Sequence, residues 1–65
     1  MNPEKLSEVM REKGITINQM CREIGISRKA FWAKRTGRTE FKQSEIAKVI
    51  ELLGRENGTA IFFSR

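Results

Sequence analysis

This sequence predicts an all-α fold of four to five short helices, and three observations carry that prediction. First, glycines at positions 14, 25, 37 and 54 each follow a stretch in which apolar residues recur at helical spacing. A left-handed residue that closes a helix belongs at such a place, and glycine adopts that conformation without steric cost. Second, helix-start signals follow the same rhythm. Asn2 precedes Pro3, Thr16 opens Thr-Ile-Asn-Gln, Ser27 follows Gly25-Ile26, and Lys42 stands three residues before Glu45. Third, the residue before each start and the fourth residue of each helix are both apolar: Met1 with Leu6, Ile15 with Met20, Ile26 with Phe31, Phe41 with Ile46. Such pairs staple the entering chain to the helix. Agreement among independent local signals is stronger than propensity alone.

Taken in order, the helices fall at 3–13, 17–24, 28–36 and 43–53. The first begins with a cap and a proline at its first position, and it presents Leu6, Val9 and Met10 on one face. The second begins with a capping box, Thr16 with Gln19, and buries Ile17 or Met20 together with Cys21 and Ile24. Ser27 caps the third. The fourth buries Ile46, Val49, Ile50 and Leu53; because Lys42 is a poor cap, its start can slip by one or two positions. In the short apolar tail, Asn57-Gly58 reads as a turn and Ala60-Ile61-Phe62-Phe63 as an apolar run. The run fits a last helical turn packed on the core, with a short strand paired to a second copy as the alternative. The linkers leave no room for a second domain, so residues 1–65 read as one.

The size and composition exclude several functions. A chain of 65 residues buries only about 60% of its unfolded surface and has no room for a deep substrate cavity. It holds one cysteine, no His and no Tyr, and all eight acidic residues are Glu. A Ser–His or Cys–His pair is impossible, and one cysteine cannot build the usual zinc sets. Cys21 reads as a small packing residue and the methionines as core filler. No enzyme activity, metal or cofactor is expected. Without a disulfide pair, a signal-like leader or a run of about 20 apolar residues, the expected setting is cytoplasmic, away from membranes.

Charge is the informative property. Residues 22–42 hold seven cations and two anions, so the whole net charge of +5 lies in that segment. An anionic partner would meet the chain there. Within it, Gly25-Ile26-Ser27 alone separates two short helices, the signature of a helix-turn-helix. Cys21, four before Gly25, is small where the two helices would cross.

The stretch "TINQMCREIGISRKAFWAKRTGR" resembles the helix-turn-helix of the phage Cro and repressor family, through Thr16, Met20, Cys21, Ile24, Gly25, Ile26, Ser27, Phe31 and Gly37. The following "FKQSEIAKVIELLG" is similar to that family's fourth helix, and the "IFF" close to short phage-encoded members; the likeness runs over about residues 4 to 63. It implies a compact lambda-repressor-like domain, sequence-specific DNA binding and, often, a dimer. Three positions depart from the family pattern. Ile17 replaces a Gln that helps hold a phosphate. Lys34 replaces an apolar residue. Arg35 stands where a Glu pairs with a basic residue on the first helix, and Met10 occupies the partner position, so that internal ion pair is not expected.

Residues of the third helix placed at 100° intervals divide into two sides. Ala30, Phe31 and Lys34 face the core, with the Lys34 stem covering it. Arg28, Lys29, Trp32 and Thr36 face outward with Ala33 at their edge. Arg28 and Lys29 occupy the first turn of the third helix, and the resemblance makes them the expected base contacts. Arg38 and Lys42 flank the following loop, where phosphate contacts belong. Arg22 and Arg35 are further candidates. Thr16 and Ser27 read first as helix caps, with phosphate contact by their hydroxyls as the second reading. Trp32 has three readings: contact with sugar or a thymine methyl, a cation–π pair with an arginine, or an anchor in a protein interface.

The expectation is therefore a regulator that binds double-stranded operator DNA through helix 28–36, either alone or as a homodimer. The alternative is an antirepressor that binds another repressor protein through the same face.

Overall fold

The computed structural model describes residues 1–63. Five helices follow one another: α1 (Pro3–Lys13), α2 (Ile17–Ile24), α3 (Arg28–Arg35), α4 (Gln43–Leu53) and α5 (Arg55–Phe62), with no strand among the described residues. The first three starts use side-chain caps. Asn2 Oδ1 accepts from the Lys5 N–H at 3.0 Å, and Ser27 Oγ accepts from the Ala30 N–H at 3.1 Å. Thr16 and Gln19 form a reciprocal box at 3.1 and 2.9 Å. The fourth start does not slip, although Lys42 offers no cap oxygen. The Glu45 carboxylate turns back and accepts from the Lys42 N–H at 2.8 Å, which fixes the start at Gln43.

One core joins all five helices. Leu6, Val9 and Met10 of α1 meet Met20 and Cys21 of α2, Phe31 of α3, Val49 and Leu53 of α4, and Ile61 of α5. Between the two candidates on α2, Met20 is the one buried; Ile17 is exposed. On α4, Ile46 and Ile50 are half-buried rather than fully enclosed, while Glu45, not foreseen as an inward residue, is buried. The third helix ends one residue earlier than expected, at Arg35, with Thr36 as its cap.

In the tail the apolar run follows the first of its two readings, continuing the helix to Phe62. One sequence signal misleads: Asn57-Gly58 lies inside α5 rather than in a turn. Two contacts explain this. Gly58 packs against Ile50 so closely that a Cβ would overlap that side chain, so the glycine serves an α4–α5 approach. Asn57 Nδ2 donates to the Leu53 carbonyl at 2.7 Å, bridging the joint at Gly54 and satisfying a carbonyl that the end of α4 leaves free. Ile61 is fully buried, and an edge-on aromatic series runs from Phe31 to Phe41 to Phe62, with ring centroids 6.1 and 5.5 Å apart. The Asn2 N–H donates to the Ile61 carbonyl at 2.7 Å, tying the start of α1 to the end of α5.

Candidate nucleic-acid interface

The turn between α2 and α3 sets the site. Gly25 closes α2 in the left-handed conformation (φ 84°, ψ 34°), and the N–H groups of Gly25 and Ile26 both donate to the Cys21 carbonyl, at 2.8 and 3.1 Å. Three residues then suffice to reverse the chain into α3, which is held by the buried Phe31 ring. Cys21 is buried where the helices cross; burial pushes its thiol above the usual range, against a smaller opposite effect of Arg28. A thiol so placed is a packing group, not a nucleophile.

Two of the five cations between residues 25 and 38 turn inward. Lys34 Nζ lies 3.0 Å from Glu45 Oε1 and donates to the Glu40 carbonyl at 3.2 Å. This is more than a stem covering the core: the ammonium reaches an ion pair in which both side chains are about nine-tenths covered. Burial pushes the Glu45 carboxyl up, but the Lys42 N–H, the Lys34 hydrogen bond and the charges of Lys34 and Lys42 outweigh it and hold the carboxyl below its ordinary value. Arg35 also has an internal partner, donating from Nη2 to Ser7 Oγ at 2.6 Å. Met10 has no charge to offer Arg35, and the bond from Arg35 to Ser7 supplies a polar link between α1 and α3. Both partnerships were hidden in the sequence because they join residues far apart in the chain.

Arg28, Lys29 and Arg38 remain exposed. Together with Trp32, Ala33 and Ile17 they line a single open groove beside α3. Trp32 is 60% exposed and points out with the cations, as the helical spacing indicates. Ile17, one of the two core candidates on α2, is 40% exposed, and the fold brings it to the groove that carries Trp32. The other candidates lie outside this groove. Thr16 and Ser27 accept hydrogen bonds as caps, which leaves their hydroxyl protons free to donate. The Thr36 hydroxyl lies within hydrogen-bond reach of the carbonyls of Trp32 and Ala33, at 2.9 and 3.2 Å. Lys42 is exposed at the start of α4. Arg22 borders a separate hollow with Ile15, Gln19, Glu23 and Leu52.

A tight α2–α3 turn, with α3 presenting an exposed basic groove, defines a helix-turn-helix domain. The family model of the Cro/C1-type HTH DNA-binding domain matches residues 5–56, and the chain belongs to that family. The matched span runs from the first turn of α1 to the start of α5. No curated protein and no solved structure matches the chain. Among the described residues no helix is long and apolar enough to cross a membrane, and no three His, Cys, Asp or Glu side chains gather as metal ligands would.

Proposed function

We propose that residues 1–65 act as one regulatory unit of phage or prophage type that reads operator DNA in the major groove with α3. The carrying observation is the groove itself: Arg28, Lys29 and Arg38 are exposed around Trp32, while Lys34 and Arg35 are committed to internal partners. The cations that stay outward are those on the open side of α3 and in the loop after it. Arg28 and Lys29, in the first turn of α3, read guanine edges. Arg38 and Lys42 hold phosphate, and the hydroxyls of Thr16 and Ser27 assist at two helix starts. Ala33 lies within the reading face, and Thr36 borders it.

The molecule measures 25 × 24 × 20 Å across its Cα atoms. At ~3.4 Å per base step, one copy spans only about seven base pairs. A homodimer on two half-sites one helical turn apart, about 34 Å, supplies the length that a unique operator needs. One observation favours a second reading. Trp32 beside arginine is a favoured anchor of protein interfaces, so an antirepressor would use the same face to bind another regulator.

Fluorescence of Trp32, the one tryptophan in the chain, decides between them. Titration with a randomised duplex at two salt concentrations should quench the signal at low salt and lose that effect steeply at higher salt. A folded protein whose Trp32 ignores duplex DNA at low salt would exclude direct reading and leave the protein-partner role.

A further inference from the structure

Trp32 and Ile17 are two of the four large hydrophobic side chains left exposed among the described residues. They belong to different helices, Ile17 at the first position of α2 and Trp32 in the middle of α3. No helical repeat brings them together; the Gly25-Ile26-Ser27 turn does. The result is an apolar wall of Ile17, Trp32 and Ala33 bordered by Arg28, Lys29 and Arg38. The cations and the wall share one groove, so a single occupant must meet both.

We propose that this wall reads thymine methyl groups, so that the operator half-site carries adjacent thymines beside a guanine. The inference rests on the DNA-reading role proposed above and specifies which bases that role selects. The surrounding cations call for an anionic occupant, and duplex phosphate supplies it. On the major-groove edges of the four base pairs, the thymine C5-methyl is the apolar group that projects into the groove; cytosine offers only a flat C5–H there, and the other recognition groups are donors and acceptors. An isoleucine side chain has no donor or acceptor to offer. Pressed against adenine or guanine edges, it would strip water from polar atoms and return nothing. Against a methyl it removes apolar surface from water on both sides. The indole ring is wide enough to cover more than one base step, and Ile17 extends the wall beyond the edge of α3. Arg28 and Lys29 border the same wall, which sets the guanine next to the thymines.

The test begins with selection of duplexes from a random library by the intact chain. Selected sites should contain adjacent thymines. Replacing those thymines with deoxyuridine removes the methyl groups and leaves base pairing unchanged. Affinity should fall roughly fourfold per methyl, the value of one buried carbon group. The ratio of thymine to deoxyuridine affinity should fall toward one in Trp32→Ala, and partly in Ile17→Ala, with helix content checked in both. The Ile17 variant keeps the test open if Trp32→Ala weakens all binding.

Equal affinity for thymine and deoxyuridine sites, or selected sites without thymine, would overturn the methyl-reading wall while leaving salt-dependent DNA binding in place. Absence of salt-dependent binding to any duplex by the folded chain would overturn both, and would assign the wall to a protein partner.

Discussion

Trp32 and Lys34 stand two positions apart on α3 and meet opposite surroundings. The indole is exposed on the groove, whereas the ammonium passes inward to Glu45. Helical geometry placed both side chains on the correct sides of α3, because a 100° step is a property of the backbone. It could not supply the partner of Lys34, since Glu45 lies on another helix and serves two neighbours. That double role makes Glu45→Gln informative. The variant keeps an acceptor for the Lys42 N–H but leaves the Lys34 ammonium without a counter-charge, with the Glu40 carbonyl still accepting from it, and should cost about 1–3 kcal/mol at neutral pH. The Glu45 carboxyl is held below its ordinary value in the folded chain, so its stabilisation is complete above the unfolded value, about 4.3, and is lost as pH falls through the folded value. Denaturant melts of the two proteins should therefore differ by a steady amount above the unfolded value and converge as the pH falls through the lower, folded one.

Four helix starts were legible because each is decided within a few residues. Caps, the Thr16–Gln19 box and the Glu45 bond to Lys42 are all contacts of three positions or fewer. The start of α5 was not legible in that way. No side chain caps it, and its Asn57-Gly58 pair resembles a turn. Gly58 is there because α4 passes close by, a tertiary demand without local trace. Gly58→Ala sets two effects against each other. Alanine gains about 1 kcal/mol of helix propensity. Its methyl collides with Ile50, and overpacking costs about 1–3 kcal/mol. We expect the collision to win, with a fall in Tm of about 5–10 °C for a domain of this size. Shortening Ile50 to alanine in the same chain should make the double variant less destabilised than the sum of the two single changes. A Tm raised by Gly58→Ala alone would mean that the two helices part easily.

Charge is the property by which sequence and structure agree over the entire molecule, and also the property that the fold edits. The segment 22–42 carries the full net charge of +5, but two of its seven cations are drawn into internal contacts. Counting basic residues therefore overstates the exposed basic surface, and only tertiary structure shows which ones to discount. Arg28 and Arg38, both outward, should differ in how they act on DNA. Arg38→Ala should weaken binding to all duplexes alike and reduce the salt slope by about one. Arg28→Ala should cost about 1–3 kcal/mol on a selected site and less elsewhere. Equilibrium titration of a selected and a scrambled duplex across a salt series separates the two behaviours. The polar link from Arg35 to Ser7 was equally beyond sequence reasoning, since the departures at Arg35 and Met10 indicated only that a familiar ion pair was missing.

The hydrogen bond from the Asn2 amide to the Ile61 carbonyl gives the molecule a built-in gauge. The amide of a cap residue has no partner within its own helix and would ordinarily trade its proton for deuterium at once. Here that proton is sheltered only while α5 is docked. Its exchange rate therefore reports the opening of α5 from a site 59 positions away in the chain. Gly58→Ala should speed exchange at Asn2 in step with the amides of α5, while the sheltered amides in the middle of α1 keep their slower pace.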